Sequence, residues 1–198
     1  MPRVVQSYRS QAIDTILESA SQLFFELGYE ETTMDDIAGR IGVTKGTLYL
    51  YFKNKEELLY RVCKKNMKLL EDTLKDTVSA DLLEGASKFF RAELKLPDHL
   101  RFHWIFALGE IKKNPSVRKI LMESYENYIS MISSRIEELK DRGLIPKEKN
   151  ARALSAELIA FHNGIMMSMM LGLTKNDAIA MVEAGVRSIL KNSSQFDR

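Results

Sequence analysis

Residues 33–58 read TMDDIAGRIGVTKGTLYLYFKNKEEL. Two short segments with apolar positions at helical spacing flank a glycine turn, and a third helix follows a basic loop. That is the layout of a helix-turn-helix reader of duplex DNA. Thr33 and Asp36 form a capping box: the threonine hydroxyl satisfies the amide three residues on, and the aspartate answers back. Ile37, Ala38 and Ile41 make the buried face of the helix this opens. Gly42 permits the turn and Val43 plugs it. Thr44 caps the next helix, whose Leu48 and Phe52 face inward, leaving Lys45, Tyr49 and the backbone at Gly46 outward. Between residues 40 and 55 stand four basic residues (Arg40, Lys45, Lys53, Lys55) and no acidic one. With Tyr49 and Tyr51 they form a short positive surface with hydrogen-bonding aromatics, suited to a phosphate backbone.

Charge must be local for this to work, because the 198 residues carry a net charge of only +2. Residues 1–65 hold nine basic and nine acidic side chains, the acids mostly in the first helix and in residues 30–36. A generic polycation is therefore excluded. Hydrophobic residues make up 45% of the chain, enough for a real core. The single cysteine, Cys63, excludes an internal disulfide and a multi-cysteine zinc site. The N-terminal MPRVVQSYRS lacks the apolar stretch of a signal peptide. The most apolar window, residues 154–173, contains Glu157, His162 and Asn163, which argues for a helix buried in protein and not in lipid. A cytoplasmic protein with no membrane partner is expected.

Almost every segment reads as helix, about nine in all, with no strand pattern and no repeat. Ile13, Ile16, Leu17, Ala20, Leu23, Phe24 and Leu27 make one stripe, stopped at Gly28. Arg3 and Arg9 fall before this helix, as a tail or an arm. A fourth helix after Asn54 carries Leu58, Leu59, Val62, Leu69 and Leu70 across the position near 65 where the two halves meet. A fifth runs from about residue 81 to 95, stopped by Pro97. Asp98 is expected to cap a sixth, running to about residue 109. Asn114-Pro115 starts a seventh that ends at Gly143. Asn150 opens an eighth, and a second capping box, Thr174 to Asp177, opens a ninth.

At VTKGTLYLYFKNKEEL the chain resembles the TetR family of transcriptional regulators. The likeness covers roughly residues 13–65: the glycine after the first helix, the TT-x-x-x-IA segment, the TKGTLY turn and recognition helix, and the YFKNKEEL exit. The remaining 130 or so residues resemble the family only in kind. The resemblance implies an all-α fold, with a three-helix helix-turn-helix domain at residues 9–65 (motif about 32–51) and a helical ligand-binding and dimerisation domain at 66–198. It implies a homodimer that sets one recognition helix per subunit into successive major grooves of a palindromic operator. Carried onto this sequence, Lys45 and Gly46 reach base edges. Thr44, Thr47, Tyr49 and Tyr51 touch phosphate or thymine methyl, Lys55 binds phosphate, and Thr33 caps the helix whose amides face phosphate. Leu50 departs from the aromatic residue often found there and is left out of the contact set. A ligand-released repressor is the expected function. An activator, a helical adaptor or an enzyme retaining the fold are the alternatives.

No catalytic pattern supports the enzyme. There is no nucleophile elbow, phosphate-cradling glycine loop or HExxH, and Glu157 and His162 are five apart where a helical di-iron site needs Glu-x-x-His. No metal or cofactor is expected. The second half is rich in aromatics and methionine, including Phe89, Phe90, Phe102, Trp104, Phe106, Tyr125, Tyr128 and Met166. Spaced apolar residues are usually core, yet such density also suits an adaptable ligand cavity. Tyr125, Tyr128, Trp104 and His162 are the candidate polar groups, and the expected effector is a lipophilic or amphipathic small molecule. Ala156, Ala160, Gly164, Ser168 and Gly172 recur every four residues on the eighth helix, and Ala180, Ala184 and Ser188 on the ninth. Such small-residue ridges allow close helix approach, either within the subunit or across a two-fold dimer interface.

Overall fold

A computed structural model describes residues 3–77, 81–102 and 105–192, with side chains at 8–77, 81–102 and 107–190. Its elements are α1 (Arg3–Leu27), α2 (Met34–Arg40), α3 (Lys45–Tyr49), α4 (Lys55–Asp76), α5 (Leu82–Glu93), α6 (Asp98–Arg101), a 3-10 segment (Ile105–Glu110), α7 (Pro115–Asp141), α8 (Ala151–Met170) and α9 (Lys175–Asn192). No strand occurs among the described residues. The chain divides into two compact units. One holds the chain up to Lys68 together with Pro97–Ser124; the other holds Leu69–Leu96 and the chain from Tyr125 onward. α4 and α7 therefore contribute residues to both.

The first unit is built on α1. This helix begins at Arg3, earlier than the sequence stripe suggested, because no glycine or proline interrupts residues 3–27. Arg9 is thus an exposed helical residue and not an arm. Gly28 ends the helix at φ 89°, a conformation open to glycine. Its carbonyl then accepts from the buried Thr32 hydroxyl at 2.7 Å. Ile16, Leu17, Ala20, Leu23 and Phe24 of α1 meet Ile37 and Ala38 of α2, Leu48, Phe52, and Leu58, Leu59 and Val62 of α4 in one core. Leu27, at the end of the stripe, is left exposed, as is Val43, which does not plug the turn. The turn is held instead by backbone: the Val43 amide donates to Ala38 at 3.0 Å. α6 and the 3-10 segment pack on α1, and His99 bonds Glu18 at 2.6 Å.

The sixth helix differs from expectation. It is one turn long, and the 3-10 segment takes up residues 105–110. Pro97 occupies the cap position and offers no side-chain bond, so Asp98 becomes the first helical residue and pairs with Arg101. A carboxylate is favourable there because the first turn carries the positive end of the helix dipole.

The second unit packs α9 against α5 and α8. Glu183 of α9 accepts from Ser87 and Arg91 of α5 at 2.9 and 3.1 Å. Ser133 of α7 and Ser155 of α8 share a hydrogen bond of 3.0 Å. Gly143, at φ 71°, closes α7, and the Leu144 amide reaches back to Leu139 at 2.9 Å. Among the described residues, no helix is long and apolar enough to cross a membrane. No cluster of three or more metal-ligating side chains occurs there either.

One close approach fixes α9 on α8. A Cβ at Gly185 would overlap the Phe161 ring. Gly185→Ala is expected to lower stability by about 1–3 kcal/mol, the cost of overfilling a packed core. Urea denaturation checks this; an unchanged midpoint would mean that the ring turns aside freely.

Candidate nucleic-acid interface and ligand cavity

The helix-turn-helix is held by two caps. The Thr33 hydroxyl accepts from the Asp36 amide at 3.1 Å, and the Thr33 amide donates to Asp36 at 2.8 Å. The Thr33 hydroxyl also donates to the Asp36 carboxylate at 2.6 Å, and this bond with that from the Thr33 amide holds the carboxyl below its usual range. The Thr44 hydroxyl accepts from the Thr47 amide at 3.2 Å and exchanges a 2.9 Å bond with the Thr47 hydroxyl. α3 is only five residues long, with Leu50 as its C-cap. Leu48 is its fully buried anchor and Phe52 follows it inward. Thr44, Lys45, Gly46 and Tyr49 stand exposed, Thr47 is half-buried, and Tyr51 is partly packed on the core. Leu50 is 76% exposed.

The cations do not stand alone. Lys45 Nζ lies 2.6 Å from Asp35 of α2; the hydrogen bond and the charge of Asp35 hold the ammonium above its usual range. Arg40 pairs with Glu26 of α1 at 2.5 Å. Lys55 departs most from the sequence reading. Its ammonium donates to the carbonyls of Tyr29, Glu30 and Thr32 at 2.8, 2.9 and 2.9 Å. It also sits over the Tyr29 ring, 4.5 Å from the centroid. All three of its protons are used on the loop between α1 and α2. In this arrangement it fastens that loop, and with it the Thr33 cap.

The second unit contains a cavity with about 840 Å³ of unfilled space, part of it open to solvent. Its wall is mostly apolar: Leu74, Leu82, Phe89, Phe90, Ile132, Ile136, Leu139, Leu158, Ile159, Phe161, Val182 and Val186 line it, from five helices. Of the residues expected at a ligand site (Phe89, Phe102, Trp104, Phe106, Tyr125, Tyr128, His162 and Met166), Phe89, Tyr128 and His162 lie here. Phe102 does not. It is buried in the first unit, stacked on Phe25 at 6.3 Å. Tyr125 is exposed and Met166 is fully buried, and neither reaches the cavity. Trp104 and the Phe106 side chain lie outside the described residues.

At the cavity wall, His162 Nε2 lies 2.6 Å from Glu93, whose side chain is 3% exposed. Burial alone would push the imidazole down; the Glu93 charge and hydrogen bond, with help from Asn163, outweigh it and hold His162 above its usual range. Burial, and then the Glu93 charge, push the Tyr128 phenol up. The sequence reading missed Glu93. Its signal was its spacing, four after Phe89 and three after Phe90, which puts it on the apolar face of α5.

The small-residue ridges point outward. Ala160, Gly164, Gly172, Ala180, Ala184 and Ser188 are exposed, and Ala156 and Ser168 half-buried. Met167, Met170, Leu171 and Met181 are exposed on the same two helices or just beyond. These ridges are not what packs α8 and α9 within the subunit.

The pattern of bacterial regulatory proteins of the tetR family matches residues 16–62, and that of the BetI-type transcriptional repressor C-terminal domain matches residues 82–191. The chain belongs to the TetR family. This is a class of DNA-binding, ligand-binding transcription regulators that includes repressors. Its similarities run over most of its length. It is 29% identical over 175 residues to the HTH-type transcriptional regulator YhgD of Bacillus subtilis, covering 80% of each chain. It is 26% identical to the fatty acid metabolism regulator protein of the same organism, covering 84% of this chain and 87% of that one. Among solved structures, a TetR-family regulator from Rhodococcus superposes with a TM-score of 0.79 at 17% identity, covering 91% of this chain and 99% of that chain. The regulator FadR from Bacillus subtilis, in complex with stearoyl-CoA, gives 0.72 at 24%, covering 89% and 96%.

Within this TetR-type reader, Lys55→Met tests the fastener. Removing the ammonium is expected to cost about 1–3 kcal/mol, because charge-assisted bonds are lost and carbonyls are left unpaired. Urea denaturation measures the loss. An unchanged midpoint with a shallower salt dependence of DNA binding would return Lys55 to phosphate contact.

Proposed function

We propose that this chain is a cytoplasmic, ligand-responsive repressor that binds a palindromic operator as a homodimer and leaves it when a lipophilic small molecule occupies the cavity. It acts by binding and not by catalysis. The observation that carries the reading is the outward surface of α3: Lys45, Gly46, Tyr49 and Leu50 exposed around a fully buried Leu48. In this reading Lys45 and Gly46 meet base edges. Thr44, Thr47, Tyr49 and Tyr51 meet phosphate or thymine methyl, and Thr33 holds the amides of α2 toward phosphate.

Two recognition helices must present at half-sites about 34–36 Å apart, so a small change in subunit arrangement spoils simultaneous contact. Ligand would favour such a change, with α4, unbroken from Lys55 to Asp76, as the transmitting rod. A coupling of about 1–3 kcal/mol corresponds to roughly 5–150-fold weaker DNA binding. The dimer would form through the exposed small-residue faces of α8 and α9, at Ala156, Ala160, Gly164, Ser168, Ala180, Ala184 and Ser188. The apolar cavity, together with the likeness to a structure that holds an acyl thioester, supports the lipophilic effector.

Two experiments test these assignments. The first compares Lys45→Ala with the parent on duplexes selected from a random pool and on scrambled controls. Loss of about 1–3 kcal/mol is expected on the selected sequence, with little change on the controls, because a good bidentate base contact carries that much discrimination. Equal losses on both would remove base reading from Lys45. The second asks whether Gly164→Leu dissociates the dimer in sedimentation analysis. A variant that stayed dimeric at normal stability would take this ridge out of the interface.

A further inference from the structure

The cavity wall contains charged residues, yet each one at hand is engaged. His162 is on Glu93 at 2.6 Å. Arg135 is on Glu138 at 2.6 Å. Asp81 accepts from the Leu83 and Glu84 amides that open α5, at 2.7 and 3.3 Å. A charged head group entering this space would give up water and have to compete with these partners for a counter-charge, and such desolvation is costly.

The hydrogen-bonding capacity left over includes donors. The Glu93 charge and hydrogen bond favour the imidazolium over the neutral ring, and an imidazolium only donates. His162 commits Nε2 to Glu93, while Nδ1 has only the amide oxygen of Asn163 at 3.5 Å, the long limit of such a bond. The Tyr128 phenol lines the same cavity and keeps its proton at neutral pH, since burial and the Glu93 charge push its ionisation up. The Tyr128 hydroxyl, which can donate, and the His162 imidazole thus line an apolar space. Phe89 and Phe90 flank the imidazole at 6.4 and 6.1 Å between centroids and keep that end of the space apolar.

We propose that the cavity takes an uncharged lipophile with a hydrogen-bond-accepting head, such as the carbonyl of an ester, thioester, amide or lactone, held by the Tyr128 hydroxyl and the His162 imidazole. The proposal rests on reading the cavity as the effector site and narrows that site's chemistry: free carboxylates and quaternary ammonium compounds are disfavoured. Tyr128 and His162 act as specificity determinants, and Glu93 orients His162.

The test uses the full chain and a neutral fluorescent probe, N-phenyl-1-naphthylamine, displaced by three decyl-chain compounds that differ in head group: methyl decanoate, decanoate and decyltrimethylammonium. Methyl decanoate is expected to displace the probe at a concentration about tenfold or more below either charged compound. Tyr128→Phe is expected to weaken methyl decanoate by about 5–10-fold, the worth of one hydrogen bond, with probe affinity unchanged. Ala86→Trp, which fills the cavity, should abolish probe binding. If either charged compound displaces best, or Tyr128→Phe leaves methyl decanoate unaffected, the acceptor-head assignment fails while the effector site stands. If the parent chain binds no probe, or Ala86→Trp binds it as well as the parent does, the effector site itself fails. Should Tyr128→Phe not fold, the ranking of the three compounds on the parent chain decides alone.

Discussion

The reading surface depends on a single buried side chain. A five-residue helix has no stability of its own, since nucleating a turn costs more than its few hydrogen bonds return. α3 exists because Leu48 is sealed in the core and Phe52 follows it one turn later. Those two contacts fix which way Lys45, Tyr49 and Leu50 point. The caps at Thr33 and Thr44 then set where α2 and α3 begin. The Lys55 fastener anchors the loop that delivers Thr33. Each part of the motif is thus held by a neighbour in sequence or by the first-unit core, and the outward face is left free of structural duty.

The second unit solves a different problem. Its core must leave space unfilled, which sacrifices packing, so order has to come from elsewhere. Polar ties supply part of it: Glu183 to Ser87 and Arg91, Ser133 to Ser155, and Glu93 to His162. A buried ion pair is weak evidence for stability, because both charges had to leave water. Glu93 and His162 are better understood as fixing orientation. The pair pins α5 to α8 beside the cavity, and the Gly185–Phe161 approach brings α9 close behind it.

How much of this was legible in the residues depended on the range of the interaction. Capping boxes, glycine stops and Asn-Pro starts are local, and the helices at Thr33, Thr44, Asn114, Asn150 and Thr174 followed from them. The inward pair Leu48 and Phe52 followed from helical spacing. Pro97 misled, because proline can itself sit at a cap and push the expected capping residue into the first turn. The Lys55 bonds were not legible for a longer-range reason: its partners are carbonyls 23 to 26 residues away, and no side-chain pattern announces a backbone acceptor. The cavity was legible as a region but not as a list. Aromatic density selects Phe89 and Phe102 alike, yet the first lines the cavity and the second stacks on Phe25 in the other unit. Only tertiary placement separates them.

The pairing of Lys45 with Asp35 does not conflict with a role on DNA. Both side chains are about half exposed or more, 47% and 63%, and an exposed ion pair is worth only about 0–1 kcal/mol. A polyanion offers the ammonium a stronger field at little cost. The carboxylate that remains then repels phosphate, which makes loose, sequence-blind contact by this lysine less favourable than a docked contact with a base edge. Asp35 also restricts the flexible lysine, and a pre-ordered side chain loses less entropy on binding. Neutralising pairs around the turn keep the free protein from behaving as a polycation, while the α3 face keeps the donors and apolar groups that a specific site can use.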